Sequence, residues 1–372
     1  MKKILGGLAV AGWLVCSSAA QAQTSVTLYG IVDVGVTYVS NTRAGRVFAM
    51  QSGFLQGSRF GLTGREDLGG GTTVIFTLEN GFDAFSGRLG QGGRGFGRQS
   101  FVGLSRAGLG TLTIGRQYDP FVNFVGPGTM NGTYGGQFAH AGDVDNTNNS
   151  FRVDNSIKFT SANLGGVSFG ALYAMGGVAG QFGARSMISL GGSYSNGPLY
   201  LGAGYFFAKN PVQEFPDGNF VSSNAIFGTA VVGAQTASQQ VAGLTGAYTI
   251  GNVKTSIAYT NTRFKDTNGA GADVTFNNYE IWASYFLKPS ITIATGYTYS
   301  MGTIDATQKR PKYHQFNVFG DYLFSKRTDL YAMLAYQIAA GDATNAQINP
   351  GIAAAATGTR QFVFHVGMRH RF

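Results

Sequence analysis

The feature that most constrains the fold is a strict two-residue periodicity that starts at position 26. Between residues 26 and 38, Val, Leu, Gly and Tyr occupy every even position, whereas the odd positions include Thr27 and Asp33. Side chains alternate between the two faces of a β-strand, so this pattern predicts a strand with one apolar face. At about thirteen residues it is longer than the usual strand of a soluble protein.

Similar alternating segments recur to the end of the chain and predict sixteen strands. They cover residues 26–38, 59–64, 72–82, 98–106, 111–117, 152–160, 167–175, 187–195, 199–209, 240–250, 253–263, 275–286, 291–301, 313–324, 329–338 and 361–372. The 57 glycines and 29 phenylalanines of the chain also favour many strands and turns over a helical domain. An even number of strands suits a closed bacterial barrel.

The predicted connections are alternately short and long. The short ones, such as "EDLGGG", "SANLGG" and "LKPS", are a few residues each and mostly contain Gly, Asn or Pro, which suits tight turns. Alternation puts all the short turns at one end of the sheet and all the long loops at the other. This asymmetry is typical of barrels that span a bacterial outer membrane.

The last twelve residues fit a closed membrane barrel better than a soluble sheet. Phe362, Phe364, Val366 and Met368 share the predicted lipid face, and the chain ends on Phe372. Backbone N–H and C=O groups in lipid must all be paired within the protein, so the last strand has to pair with the first. We therefore predict an all-β fold, a 16-stranded antiparallel transmembrane β-barrel.

The N-terminus predicts a secretory signal peptide over residues 1–22. It has a basic start at Lys2 and Lys3, an apolar stretch over residues 4–15, and an Ala-x-Ala cleavage site that ends at Ala22. Cleavage removes Cys16, the only cysteine, and the two lysines, which lowers the formal net charge from +9 to +7. No later segment has about 18 consecutive apolar residues, so residues 23–372 are predicted to form one barrel domain with no membrane helix.

Several motifs resemble the general porins of Gram-negative bacteria, in the branch typical of β-proteobacteria. The resemblance covers nearly all of residues 23–372 and rests on "TSVTLYGIVDVGVTYVS", "GSRFGLTGREDLGGGTTVIFTLE", "RQSFVGLSRAGLGTLTIGRQYDP", "RVDNSIKFTS" and the terminal "GMRHRF". It implies an outer-membrane homotrimer of water-filled channels for small ions and solutes, in contact with lipid and lipopolysaccharide. It also implies a third external loop that folds inward, no cofactor, and a terminal Phe372 that the barrel-assembly machinery recognises.

The third loop spans about residues 118–150 and departs from the family pattern. Members of the family often place a glutamate there in a Pro-Glu-Phe-Gly stretch, but this chain has "GPGT" at 126–129. Asp119 is then the nearest acid for the acidic side of the constriction, and Asp143 and Asp145 follow further on.

The resemblance assigns three arginines to the opposite, basic wall of the constriction: Arg59, Arg98 and Arg152. Alternation supports an inward position for Arg59, and it groups Arg152 with Asp154, Ser156 and Lys158 on the lumen face, with Val153 facing lipid. The alternative for each arginine is a position at the barrel rim, with the side chain extended to the interface. Lys158 joins the predicted basic wall.

Arg116 has the opposite parity and is predicted to face outward. A charge facing lipid is costly, so either a subunit interface or a position just above the membrane would explain it. The sequence leaves both open.

The predicted function is passive diffusion of small hydrophilic solutes with a mild preference for anions, because guanidinium groups attract anions into a pore. A substrate-specific channel for one anion or sugar is the alternative, and an adhesin or scaffold role of the loops is another. An enzyme or a metal site is not expected, since the four histidines are dispersed and form no Ser–His pattern. Nucleic acid is not an expected partner of an exported barrel.

Overall fold

A computed structural model describes residues 25–372, and the predicted signal peptide lies outside them. Seventeen strands form one antiparallel sheet. They are β1 (Ser25–Thr42), β2 (Gly45–Ser52), β3 (Arg59–Gly69), β4 (Thr72–Gly81), β5 (Gln99–Arg106), β6 (Gly110–Gln117), β7 (Val153–Ser161), β8 (Val167–Ala174), β9 (Met187–Asn196), β10 (Leu199–Lys209), β11 (Ser238–Ile250), β12 (Val253–Lys265), β13 (Val274–Lys288), β14 (Ile291–Ile304), β15 (Pro311–Leu323), β16 (Thr328–Gly341) and β17 (Arg360–Arg371).

The sheet closes on itself between its first and last strands. Residues from Ile31 to Val39 of β1 pair with residues 363–371 of β17. On its other edge, β1 pairs with β2 near the long loops and with β3 near the short turns, so β2 and β3 share one position in the barrel. The seventeen strands therefore occupy sixteen positions, and the prediction of a closed 16-stranded antiparallel barrel is confirmed.

The shared position explains why the alternating pattern does not predict β2 as a strand of its own. Residues 53–58 interrupt the strand because their backbone turns towards Asp33 on β1. The Asp33 carboxylate accepts the N–H groups of Leu55 and Gln56 at 3.0 and 2.6 Å. An acid on an otherwise apolar strand was visible in the sequence, but its partners were not.

Helical elements in the described residues are short. They comprise α1 (Pro120–Val125), α2 (Met130–Tyr134), α3 (Pro211–Glu214) and five 3-10 turns at Gln91–Gly93, Gly126–Gly128, Gly136–Phe138, Ala141–Asp143 and Asp305–Thr307. Among residues 25–372, no helix has the length and apolar character needed to cross a membrane.

Polarity across the wall is inverted relative to a soluble protein. Leu244 and Ile257 are about 60% exposed on the outer face. Ser256 and Glu280, on the inner face, are buried. An outward apolar band with a polar interior is the arrangement of a transmembrane barrel.

The buried apolar residues lie inside the barrel, where three loops pack against the inner wall. Phe121 of the loop between β6 and β7 belongs to the same buried cluster as Phe215 of the loop between β10 and β11, and as Ala346 of the loop between β16 and β17. Phe151 stacks on Phe215 with ring centroids 3.9 Å apart. These contacts cover the inner face on the side of β8 to β17.

Candidate functional site: the constriction of the lumen

The three predicted arginines line one cavity of about 680 Å³. Arg59 begins β3, Arg98 immediately precedes β5 and Arg152 immediately precedes β7, so the three project from the loop ends of alternate strands. Tyr118 lies between two of them: the guanidinium carbons of Arg98 and Arg152 are 5.9 and 5.6 Å from its ring centroid. The structure thus brings the three arginines together at one cavity, two of them beside the same aromatic ring.

Glu79 on β4 also belongs to this cluster and was not predicted. Its carboxylate accepts the Arg98 Nε–H at 2.8 Å and the hydroxyls of Tyr118 at 3.1 Å and Tyr29 at 2.9 Å. The Tyr29 hydroxyl can reach Glu79 across Gly61, which lies between them in the sheet: a Cβ on Gly61 would be 2.8 Å from that hydroxyl oxygen. Glu79 is the cross-strand partner of Gly61, which shares the inner face with Arg59, and this pairing was the sequence signal that could have identified Glu79.

Two of the three arginines have no carboxylate partner within the described residues. Only Arg98 is paired, through Glu79. Arg152 donates to the carbonyl oxygen of Ser150 at 3.3 Å, and no carboxylate lies within 4 Å of Arg59 or Arg152 between residues 25 and 372. The cluster of three cations and one anion therefore keeps an excess positive charge.

Lys158 holds the base of the third loop instead of lining the cavity. Its Nζ donates to the carbonyl oxygen of Tyr118 at 2.9 Å and reaches the Asn123 side-chain oxygen at 3.4 Å. It faces the lumen as predicted, and its described contacts are with the loop.

Asp119 is not placed to supply the predicted acidic side. It is fully buried and caps α1, where its carboxylate accepts the Val122 N–H at 3.3 Å and the Ser189 hydroxyl at 3.1 Å. Burial raises the pKa of Asp119 above its ordinary value. Asp143 and Asp145 are also buried. Among the residues that line the cavity, the carboxylate is that of Asp83, in the loop after β4.

The third loop adds no charged side chain to the cavity. Residues 118–150 present amide side chains to the cavity, including Asn123, Asn131 and Asn148, together with the backbone of several glycines. The absence of the glutamate expected from the family pattern thus leaves hydrogen-bonding groups without charge on this side.

Glycines on the inner wall allow the third loop to approach closely. A Cβ on Gly191 of β9 would lie 2.7 Å from the Pro120 carbonyl oxygen, and one on Gly243 of β11 would lie 2.8 Å from the Phe121 ring. Further along, the Gly128 carbonyl oxygen accepts hydrogen bonds from Trp282 and Ser256 at 2.8 and 2.7 Å. The loop therefore lies against the inner faces of β9 to β13.

A buried ionic cluster holds the end of this loop. The His140 Nδ1 lies 2.6 Å from the Asp145 carboxylate, which also accepts the Thr260 hydroxyl at 2.5 Å. Burial alone would lower the pKa of His140, but the Asp145 charge outweighs it and holds that pKa well above its ordinary value. Burial would raise the pKa of Asp145, but His140 lowers it to about 2. Burial and the Asp145 charge raise the pKa of Asp143 to about 7.

Alternation was misleading at the start of β7. Val153 is fully buried in the cluster that contains Phe121, so it faces the interior and not lipid as predicted. Asn155 has a φ of 48°, a left-handed conformation that interrupts the alternation. Asp154 consequently leaves the lumen face that alternation predicts for it together with Lys158.

Arg116 faces outward, as its parity predicted, and is paired within the chain. It donates to the Gly97 carbonyl oxygen at 2.8 Å and to Asp154 at 2.5 Å, and it also pairs with Asp217 of the loop between β10 and β11. Arg94 lies within 3.7 Å of Asp154. This set of loop contacts accounts for the buried charge of Arg116 without a partner subunit.

Comparison with known proteins gives consistent matches over most of the chain. A family model described as Gram-negative porin matches residues 7–342. An outer membrane porin protein of Bordetella pertussis is 31% identical, and the alignment covers 100% of both chains. Outer membrane porin protein 32 of Delftia acidovorans is 32% identical, again over 100% of both chains.

Solved structures support the same fold. An anion-selective porin from Comamonas acidovorans has a TM-score of 0.75 and 27% identity, with 94% of this chain and 100% of that chain covered. The trimer form of the outer membrane protein OmpT from Vibrio cholerae has a TM-score of 0.68, with 94% of this chain and 99% of that chain covered. At 16% identity, OmpT shows the fold alone.

Proposed function

The chain belongs to the Gram-negative porin family and is an outer-membrane channel for passive diffusion, and we propose that its constriction makes it mildly selective for anions. The observation that supports this is the convergence of Arg59, Arg98 and Arg152 on one cavity, where Glu79 pairs with only one of them. Unpaired guanidinium groups attract anions and raise the barrier to cations.

The proposed roles differ between residues of the site. Arg59 and Arg152 supply the field in the constriction, and Tyr118 holds the guanidinium groups of Arg98 and Arg152 against one wall. Lys158 is a positioning residue that fixes the start of the third loop. Asp119 is a helix cap with no role in selectivity. The channel needs no cofactor and no catalytic residue.

The test is the reversal potential of single channels in a planar bilayer under a KCl gradient. We expect chloride to be favoured, and Arg152→Gln to lower the chloride-to-potassium permeability ratio about twofold, because a unit charge acting through water over one Debye length contributes ~0.5 kcal/mol. The matched control is Arg106→Gln, an exposed arginine at the short-turn end of β5.

The outcomes separate the proposal from its rivals. A potassium preference of the unmodified channel, or an equal effect of both substitutions, would contradict filtering by the arginine cluster. Block by one solute that saturates at low concentration would instead indicate a substrate-specific channel.

For assembly, we propose a homotrimer, with Phe372 as the position that the barrel-assembly machinery recognises. The trimer form of the Vibrio cholerae neighbour supports the trimer. The recognition of Phe372 is supported by its exposed ring, which is accessible on the outer face at the short-turn end. Conductance steps that occur in threes would support the trimer, and single independent steps would contradict it.

A further inference from the structure

A short turn interrupts the barrel wall beside the cavity of the three arginines. β1 pairs with β3 up to Ile31 and with β2 from Val34 onwards, and residues 53–58 lie between β2 and β3. These residues, here called the lumen turn, line the arginine cavity with their first five members. Asp33 is the only acid of β1, and it lies where this interruption leaves β1 without a paired neighbour.

The buried carboxylate of Asp33 holds the lumen turn in place. One of its oxygens accepts the N–H groups of Leu55 and Gln56 at 3.0 and 2.6 Å, and the other accepts the Tyr331 hydroxyl. The Asp33 N–H also donates to the Ser58 hydroxyl at 3.0 Å. The carboxylate thus satisfies buried N–H groups that have no partner strand at the interruption.

The lumen turn contacts the tip of the third loop. The Phe54 carbonyl oxygen accepts the Gly136 N–H at 3.2 Å, and the Phe54 ring stacks on His365 of β17 with centroids 3.8 Å apart. The approach is close, because a Cβ on Gly135 would collide with the Phe54 carbonyl oxygen. Gly135 also has a φ of 101°, which favours glycine. The tip of the loop therefore depends on the position of the turn.

The lumen turn also contacts the arginines. A Cβ on Gly57 would lie only 3.2 Å from the Arg98 Nη1, so the guanidinium group lies against the backbone of the turn. Arg59 follows the turn directly as the first residue of β3. One short segment is therefore in contact with both the third loop and the basic side of the cavity.

We propose that Asp33 is a positioning residue for solute passage, which acts through the lumen turn to hold the third loop and Arg98 at a fixed distance across the constriction. Asp33 lies within the wall and need not touch a solute. The inference rests on the proposed function, because it concerns the same constriction. A loosened turn lets the loop tip and Arg98 move, and the attraction between a guanidinium group and an anion weakens with distance.

The first test is Asp33→Ala, measured on single channels in a planar bilayer under a KCl gradient. It removes the acceptor of two N–H groups, so we expect more open-channel current noise. We also expect the chloride-to-potassium permeability ratio to fall about twofold, as for one unit charge displaced by a Debye length. Asp33→Asn keeps an acceptor oxygen for both N–H groups, and its amide can donate to the Tyr331 oxygen. It should restore most of the unmodified behaviour.

Thr37→Ala is the matched control for Asp33→Ala. Thr37 is equally buried on the same face of β1, and its hydroxyl makes a hydrogen bond of 2.8 Å with His365. This substitution removes a buried hydrogen bond of the wall and leaves the N–H groups of the lumen turn with their acceptor. We expect unchanged noise and an unchanged permeability ratio.

A second variant tests the same contact from the third loop and does not depend on the folding of Asp33→Ala. Gly135→Ala places a methyl group against the Phe54 carbonyl oxygen, so it should raise the current noise as Asp33→Ala does. Its control is Gly45→Ala, because Gly45 also has a φ of 101° but has no atom of the described chain within 4 Å of an added Cβ. The control carries the same backbone strain without the collision.

Three results would overturn the proposal: Asp33→Ala that behaves like Thr37→Ala, Gly135→Ala that behaves like Gly45→Ala, or Asp33→Asn that is as noisy as Asp33→Ala. Mobility of the unboiled protein on a denaturing gel shows that each variant is a folded barrel before it is recorded. The noise comparison is independent of the sign of ion preference. A potassium-selective unmodified channel would therefore reject the proposed anion selectivity and leave the test of Asp33 intact.

Discussion

At the scale of single residues, Glu79 is the carboxylate that offsets part of the positive charge of the proposed constriction. It neutralises Arg98 through a contact of 2.8 Å, whereas Arg59 and Arg152 have no such partner among residues 25–372. Two hydroxyls, those of Tyr29 and Tyr118, also donate to Glu79, so the carboxylate is held firmly in one place. The selectivity of the channel should therefore respond to Glu79 as strongly as to an arginine, with opposite sign.

Replacing Glu79 with Gln is expected to raise the chloride-to-potassium permeability ratio about twofold, because it frees one guanidinium charge worth ~0.5 kcal/mol at one Debye length. Reversal potentials in a KCl gradient measure this directly. Glu66→Gln is the matched control, since Glu66 is an exposed acid at the short-turn end of β3. An unchanged ratio in the Glu79 variant, or an equal rise in the control, would show that Arg98 does not contribute to the filter.

At the scale of elements, the third loop is held by partners that are far away in sequence. Its His140–Asp145 pair contacts Thr260 of β12, and its Met130 N–H donates to Glu280 of β13 at 2.8 Å. Asp143 is buried beside this cluster, where Asn148 N–H donates to its carboxyl group at 3.0 Å. A loop fixed through buried ionisable groups is expected to be held with different strength at different pH.

The pKa shifts of Asp143 and His140 both predict that the loop is held less firmly at high pH. The pKa of Asp143 is about 7 in the folded loop, against an ordinary 3.8, so the folded loop keeps a proton that the detached loop releases. This proton stabilises the attached loop in full below about pH 4, and the stabilisation is lost as pH rises towards 7. The raised pKa of His140 also gives a contribution that is lost as pH rises through it. Asp145, with a pKa of about 2, contributes above 3.8 and loses its contribution only as pH falls through 2.

We therefore expect the backbone of residues 140–150 to exchange amide hydrogen at least about tenfold faster at pH 8.5 than at pH 5.5, after correction for intrinsic rates, since one pKa unit corresponds to ~1.4 kcal/mol. Hydrogen exchange with mass spectrometry measures it. Asp143→Asn removes the group that ionises near pH 7 and should reduce the difference between the two pH values. Identical protection at both pH values in the unmodified protein would contradict a pH-sensitive attachment.

How far the sequence predicts each element depends on whether its determinants are local. Alternation identified all sixteen barrel positions, because each strand displays its own pattern. Alternation failed where a residue distant in sequence determines the local structure. β2 is separated from β3 because Asp33 binds the backbone of residues 55 and 56. In the site, the three arginines followed from the motifs of the resemblance, with parity as clear support for Arg59, but the burial of Asp119 depends on Ser189, seventy residues away.

At the scale of the whole molecule, the closed barrel ends at its last residue. The Phe372 N–H donates to the Gly30 carbonyl oxygen at 3.1 Å, and the Gly30 N–H donates to the Phe372 carbonyl oxygen at 3.2 Å. The terminal residue thus completes the ladder between the last and first strands. The loop end of the barrel is not closed in this way. Three loops fill its interior on the side of β8 to β17 and leave a passage beside Arg59 and Arg98.

Deletion of Phe372 should lower both assembly and stability. The folded barrel loses two backbone hydrogen bonds of ~1 kcal/mol each, and the proposed recognition position disappears. Phe372→Ala keeps the backbone hydrogen bonds and removes only the ring, so it separates assembly from stability. If the ring is recognised, the amount of folded barrel in the outer membrane falls several-fold. The melting temperature of the purified barrel then changes little.

Phe324→Ala is the control for Phe372→Ala, because Phe324 is another exposed aromatic at the short-turn end and is not terminal. Membrane fractionation followed by heat-shift gel electrophoresis gives the amount of folded barrel, and thermal unfolding in detergent gives its stability. Equal loss of folded barrel in both alanine variants would mean that the aromatic band at the interface matters and the terminal position does not. Normal levels of the deletion variant would show that closure of the barrel does not need its last residue.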